Sequence, residues 1–255
     1  MSRIAQAFAD KKAFIGFITG GDGGIQASVD NILAMERAGA SLVEIGIPFS
    51  DPVAEGPIIQ QANIRALDKD IKTEDMFTIV EQVRKVSQIA LVFLTYANPV
   101  YAYGYDRFFA RCKQVGVDGI IIPDIPFEES EEIASYCERY GVDQILLVSP
   151  TSKQRIQAVA KKSRGFVYLV SSLGVTGTRD NITTDLDTII KQIKQVTSVP
   201  VAIGFGIHAK QQVHDYAKIA DGVIVGSAIV KLCEQHPVGA NQAIYEYVND
   251  LVSAI

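Results

Sequence analysis

In A-G-A-S-L-V-E-I-G-I-P-F, Ala38 to Phe49, a glycine and a short polar residue introduce an apolar run that carries one glutamate in its middle. The same form returns in V-G-V-D-G-I-I-I-P-D-I-P-F (Val115 to Phe127), Y-G-V-D-Q-I-L-L-V-S-P (Tyr140 to Pro150) and, with the small residue alanine in place of the glycine, I-A-D-G-V-I-V-G-S-A (Ile219 to Ala228). Four further runs, A-F-I-G-F-I-T (Ala13 to Thr19), I-A-L-V-F-L-T-Y (Ile89 to Tyr96), G-F-V-Y-L-V-S-S (Gly165 to Ser172) and V-P-V-A-I-G-F-G (Val199 to Gly206), bring the total to eight. Runs that are apolar throughout suit parallel strands covered on both faces. The segments between them read as helices. One places Val29, Ile32, Leu33 and Met35 on an apolar face that ends at Gly39, and another does so with Met76, Ile79, Val80 and Val83.

Eight strand–helix units in 255 residues predict an α/β fold of the (β/α)8 TIM-barrel class, as a single domain over residues 1–255. A doubly wound open sheet is the rival, but the first turn, I-T-G-G-D-G-G (Ile18 to Gly24), lacks the G-x-G-x-x-G spacing of a dinucleotide site. Ile4 and Phe8, one helical turn apart, predict a short N-terminal helix capping the bottom of the barrel. The chain carries a formal charge of −5 and has no basic cluster, which argues against nucleic acid and anionic membranes as partners. It has no apolar run long enough to span a bilayer, and its opening M-S-R-I-A-Q-A-F-A-D-K-K is too short and polar for a signal peptide, so a cytoplasmic location is expected. Cys112, Cys137 and Cys233 lack C-x-x-C spacing and read as small buried hydrophobes, and His208, His214 and His236 show no metal spacing.

In such a barrel the reactive groups gather at the carboxyl ends of the strands. Alternation puts Leu42, Glu44 and Gly46 on one face and the aliphatic Val43, Ile45 and Ile47 on the other, so Glu44 is expected inside the barrel. An isolated carboxylate there is costly, its pKa should rise, and a raised pKa suits a general acid near neutral pH; a structural ion pair or a hydrogen-bonded interior acid is the alternative. Asp124 is expected to face inward with Ile120 and Ile122, either orienting Glu44 or as another satisfied interior acid. The proline-rich loop after Glu44 presents Asp51 and Glu55, which composition alone cannot tell from solvated loop acids. Glycines at the ends of the seventh and eighth runs make the amides of Gly206, Gly226 and Ser227 candidates for a phosphate cradle, beyond a simple need for tight turns. Gly174 and Gly177 punctuate a polar segment that reads as a lid or as an ordinary surface loop, with Thr176 and Arg179 able to reach the site. Phe17, Tyr96 and Tyr168 are expected to flank a flat substrate or to be plain core.

Taken in order, V-E-I-G-I-P-F-S-D-P-V-A-E-G-P-I-I-Q-Q-A, L-T-Y-A-N-P-V-Y-A-Y-G, the Val115 run extended to Ser130, L-V-S-S-L-G-V-T-G-T-R and I-G-F-G-I with V-G-S-A-I-V-K resemble the alpha subunit of tryptophan synthase over nearly the whole chain. The resemblance implies a (β/α)8 barrel that splits indole-3-glycerol phosphate into indole and glyceraldehyde 3-phosphate by a retro-aldol reaction. It implies catalytic roles for Glu44, at the ring carbon and side-chain hydroxyl, and for Glu55, at the indole N–H. Phe17, Leu94, Tyr96, Tyr168 and Phe205 match positions around the indole, Thr176 and Gly177 the closing loop, and Gly206, Gly226 and Ser227 the phosphate cradle. No cofactor is implied for this step; pyridoxal phosphate is expected only in a partner beta subunit, within an alpha2-beta2 assembly. Two departures from the family pattern stand out. Glu55 stands where aspartate is usual, which moves the carboxylate by roughly 1.5 Å unless the loop adjusts. Ser172 and Leu173 stand where an arginine and a small residue are usual. Besides the lyase, three readings compete: a weakly catalytic subunit that activates its partner, a stand-alone indole-producing lyase, and another phosphosugar barrel such as an isomerase.

Overall fold

The computed structural model describes residues 1–9, 11–171 and 182–255. Its parallel strands are β1 (Ala13–Thr19), β2 (Leu42–Gly46), β3 (Ala90–Leu94), β4 (Gly119–Ile121), β5 (Asp143–Gln144), β6 (Leu147–Val148), β7 (Val167–Val170), β8 (Val201–Gly204) and β9 (Gly222–Val225). The helices are α1 (Arg3–Ala7), α2 (Ile25–Arg37), α3 (Pro57–Leu67), α4 (Thr73–Arg84), α5 (Ala97–Tyr103), α6 (Tyr105–Val115), α7 (Glu131–Tyr140), α8 (Lys153–Lys162), α9 (Ile182–Lys194), α10 (Lys210–Ile219), α11 (Ser227–Gln235) and α12 (Ala240–Val252). Sheet order is β5-β4-β3-β2-β1-β9-β8-β7-β6, so the two ends of the order are β5 and β6, consecutive pieces of the predicted fifth strand. That strand changes partner at Ile145–Leu146: the Ile145 amide donates to Ile120 at 3.0 Å, while the Leu146 carbonyl accepts from Tyr168 at 3.1 Å. The barrel is thus the expected one, with its fifth strand broken in two.

The repeat that announces four of the strands has a local cause. Its glycine ends the preceding helix in the left-handed region, with φ of 86° at Gly116 and 69° at Gly141, where a Cβ would be strained. Its polar residue then starts the new strand. The Asp118 amide donates to the Leu91 carbonyl and its carboxylate accepts from the Leu91 amide, both at 2.8 Å. Asp221 does the same with Val201, at 2.9 and 2.7 Å. In the first copy Ser41 keeps the backbone bond, to Phe14 at 2.8 Å, but its buried hydroxyl has no partner among the described residues.

Two apolar layers follow from strand alternation. Val43, Ile45, Ile47, Phe14 and Ile18 pack outward against the helices. Ile15, Leu42, Val92, Ile121, Ile145, Tyr168, Ala202 and Ile224 fill the interior. Helix α1, capped by the Ser2 hydroxyl accepting from the Ala5 amide at 3.2 Å, plugs the bottom with fully buried Ile4. Phe8, just past its end, meets the Phe166 ring at 5.7 Å. Asp118 anchors this floor, accepting from Arg3 at 2.7 Å and from the nearly buried Arg84 at 2.9 Å. Among the described residues no helix is long and apolar enough to cross a membrane.

Candidate active site

Strand β2 sits between β1 and β3, and its register puts Glu44 beside Phe17 and Val92. Glu44 is 1% exposed, and its Oε1 has no hydrogen-bond partner among the described residues. Burial alone pushes its carboxyl up to about 8, so the resting side chain is a neutral acid at neutral pH. Among the described residues no salt bridge reaches it, and burial is the cause of its shift. Tyr168 on β7 lies close enough for the Glu44 charge to add to burial in raising its hydroxyl well above the usual range. Gly204 makes room for that ring, since a Cβ there would fall 2.3 Å from the Tyr168 hydroxyl. Thr19, at the carboxyl end of β1, is a second buried hydroxyl without a partner among the described residues.

Above this layer Phe17 packs with Ala62 and Val230, with Leu94, Ile58 and Ile59 around them, forming an apolar patch at the mouth. A Cβ on Gly226 would contact Phe17 at 3.5 Å, so the aromatic patch and the start of α11 are adjoining walls. Gly226 caps α11 and Ser227, its first residue, is exposed, so the amide end of that helix faces outward at the mouth. An anion there meets the positive end of the helix dipole. Phe205 and Gly206 complete this side. Phe205 is 38% exposed and holds φ at +92°, a conformation costing a bulky residue on the order of 1–3 kcal/mol.

Glu55 belongs to a second group. Its Oε2 accepts from the Asn63 side chain at 2.9 Å, and Tyr96 is also within hydrogen-bonding range. Burial raises the Glu55 carboxyl, while bonds from Asn63 and Tyr96 pull it back. The Tyr96 hydroxyl accepts from the Ala54 amide at 3.2 Å, and its ring packs on Phe49 at 5.4 Å, so Tyr96 ties the loop at two points ahead of Glu55. Asn63, on α3, is a functional candidate that the sequence reading missed. Its only signal was a polar residue eight positions beyond an acid, two turns into a helix.

One expectation is corrected. On β4 it is Ile121 that joins the interior, whereas Ile120 and Ile122 pack outward: alternation holds, but in the opposite phase, because a run apolar on both faces carries no signal for which set points inward. Asp124 is exposed and does not orient Glu44. Both its oxygens accept from the Ala97 amide, at 3.0 and 3.2 Å, so it caps α5 directly after Tyr96. Asp51 is exposed on the loop beside the Ser50 hydroxyl. Thr176, Gly177, Gly174, Arg179, Ser172 and Leu173 lie outside the described residues. Cys112 and Cys137 are buried free thiols, with burial raising both, and Cys233 is partly buried. Among the described residues no three His, Cys, Asp or Glu side chains are grouped so as to hold a metal ion.

A buried neutral carboxylic acid, an aromatic wall and a helix amide end at one barrel mouth are what a phosphorylated aromatic substrate requires, and comparison with known proteins agrees. The family model described as tryptophan synthase alpha chain matches residues 4–252. The chain belongs to the tryptophan synthase alpha chain family. The tryptophan synthase alpha chain of Lacticaseibacillus casei is 47% identical over 255 residues, covering 100% of this chain and 96% of that one. That of Lactiplantibacillus plantarum is 52% identical over 237 residues, covering 92% and 90%. Among solved structures, tryptophan synthase subunit alpha from Legionella pneumophila aligns with a TM-score of 0.90 at 32% identity, covering 100% of this chain and 98% of that one. A tryptophan synthase complex from Pyrococcus furiosus includes a chain matching with a TM-score of 0.87 at 33% identity, covering 95% and 98%. As a tryptophan synthase alpha chain, this protein is a lyase of tryptophan biosynthesis that cleaves indole-3-glycerol phosphate.

Proposed function

We propose that Glu44 and Glu55 carry this cleavage, with Phe17, Leu94, Tyr96, Tyr168 and Phe205 around the indole and Gly206, Gly226 and Ser227 around the phosphate. The observation that carries the reading is Glu44 buried in the barrel interior, its carboxyl raised to about 8 by burial and its Oε1 without a hydrogen-bond partner among the described residues. Breaking the bond between ring and side chain needs a proton on the ring carbon and loss of the proton from the adjacent side-chain hydroxyl. An acid with its pKa at about 8 holds the first proton at neutral pH. Having given it up, the carboxylate is a base in a site that disfavours its charge, and it takes the hydroxyl proton as the aldehyde forms. Glu44 therefore ends as it began, and the products are indole and glyceraldehyde 3-phosphate. Glu55, whose bonds from Asn63 and Tyr96 favour the charged form, accepts the indole N–H while positive charge develops on the ring. Asp124 serves through Ala97, fixing the backbone next to Tyr96. Thr176 and Gly177 are assigned to the lid by family resemblance.

This chain's step is assigned no cofactor, and pyridoxal phosphate is placed in a beta subunit, with which the chain forms an alpha2-beta2 assembly in the cytoplasm. Support for a partner comes from apolar groups left open near the mouth: Val53, in the Glu55 loop, is 78% exposed and Tyr101, on α5, is 70% exposed. The test is indole release from indole-3-glycerol phosphate by the purified chain, alone and with a beta subunit. Turnover that rises on adding the partner is expected. Absence of turnover in both conditions, with the partner still activated, would instead favour a regulatory subunit.

A further inference from the structure

Ser171 lies at the carboxyl end of β7, three residues beyond Tyr168, and looks in sequence like the first residue of a polar loop. In the structure it is buried and grips the neighbouring strand end twice. Its amide donates to the Gly204 carbonyl at 3.0 Å, and its hydroxyl donates to the Phe205 carbonyl at 2.8 Å. These are successive carbonyls, and the second belongs to the residue with φ at +92°. Among the described residues only Asp70 is another non-glycine with positive φ; at 59° it occupies the ordinary left-handed well, which a short acid tolerates. Phe205 has neither that geometry nor a small side chain, and Gly206 follows at φ of 75°. A strained conformation persists where its surroundings over-determine it, and here the Ser171 hydroxyl supplies the constraint.

We propose that Ser171 is a positioning residue of the substrate site: its hydroxyl holds the Phe205 peptide in the positive-φ conformation that sets the Phe205 ring and the Gly206 amide at the barrel mouth. Without that bond the Phe205 peptide relaxes toward an extended conformation, and the ring and the amide leave their places together. Ser171 itself touches no reacting atom, so its loss falls on substrate binding and spares the proton transfers of Glu44. The inference rests on the reading of Phe205 and Gly206 as substrate contacts.

The test is a double-mutant cycle on the full chain with Ser171→Ala and Phe205→Gly, because glycine at 205 adopts positive φ without strain. Two quantities are read: kcat and KM for indole-3-glycerol phosphate, and the Kd of a non-cleavable indole-alkyl phosphate by calorimetry. Ser171→Ala is expected to raise KM and Kd about tenfold, or about 1.4 kcal/mol, with kcat within about twofold and the pH profile in place. Added to Phe205→Gly, it should cost less than about twofold more. Unchanged KM and Kd in Ser171→Ala would overturn the proposal, as would an equal tenfold loss in both backgrounds. Should Ser171→Ala fail to fold, Ser171→Cys, nearly isosteric and a weak donor, goes through the same cycle with the same expectations. If the unmodified chain released no indole even with its partner, the catalytic reading would fail, while the Kd cycle would still decide the role of Ser171.

Discussion

The two ends of the barrel treat their carboxylates in opposite ways. At the amino-terminal floor Asp118 meets Arg3, Arg84 and the Leu91 amide, and Asp221 meets Lys194 and the Val201 amide. At the carboxyl-terminal mouth, among the described residues, Glu44 leaves one oxygen unpaired in full burial, and Thr19 leaves its hydroxyl so. Carboxylates on strands of one sheet are thus paired at one end and left open at the other, with the Ser41 hydroxyl an unpaired exception at the floor. A carboxylate so paired can only stabilise, whereas polar groups buried without partners cost free energy until a ligand completes them.

Glu44→Gln should break this contrast most strongly: kcat for indole release should fall about 10³-fold, with folding intact by circular dichroism. A loss of less than about tenfold would remove Glu44 from the chemistry. Its pH behaviour follows from the same burial. The folded carboxyl titrates at about 8, above the ordinary glutamate value of 4.5, so the folded state holds this proton more tightly than the unfolded chain. Glu44's contribution to stability is therefore complete below about pH 4.5 and is lost as pH rises to about 8. Denaturant titrations from pH 5 to 8 should show that decline in the native chain and its absence in Glu44→Gln, while kcat/KM of the native chain should fall above about pH 8.

At the floor, Asp118→Ala strands Arg84 and should cost about 3 kcal/mol in urea unfolding, leaving kcat per folded molecule unchanged. A change in kcat would mean that the two ends are not independent. The smallest effect expected is at Asn63. Asn63→Ala removes a bond that favours ionised Glu55, so the acid limb of the pH–rate profile should move upward, with kcat down about tenfold at neutral pH. An unmoved acid limb would separate Glu55 from the rate-determining protonation.

Legibility in the sequence followed the same division. Strand alternation placed Glu44 correctly because β2 is regular and aliphatic on its outer face. It misplaced Asp124 because β4 is apolar on both faces, so G-I-I-I does not tell which set points inward; Ile121 does, and Ile120, Ile122 and Asp124 do not. The glycine–acid repeat marked strand starts because helix termination and ladder initiation are local events. Asn63 and Ser171 were hidden because a lone polar side chain has no pattern to betray it: Asn63 meets Glu55 only where the loop folds back on α3, and Ser171 meets Phe205 only where β7 and β8 pair. The Tyr168–Gly204 fit was equally silent, since it depends on how two neighbouring strands stack.

The broken fifth strand has a mechanical meaning for all of this. A ring laced evenly around its rim shares any load among every joint; this one is laced from β5 round to β6 and buckled at Ile145–Leu146 by the chain itself. Beside the buckle runs β7, which carries both Tyr168 and Ser171, whereas Glu44 hangs from β2, in the tightly laced arc opposite. The acid is set in the unbroken arc of the hoop, and the wall that must press the aromatic substrate against it is sewn next to the break.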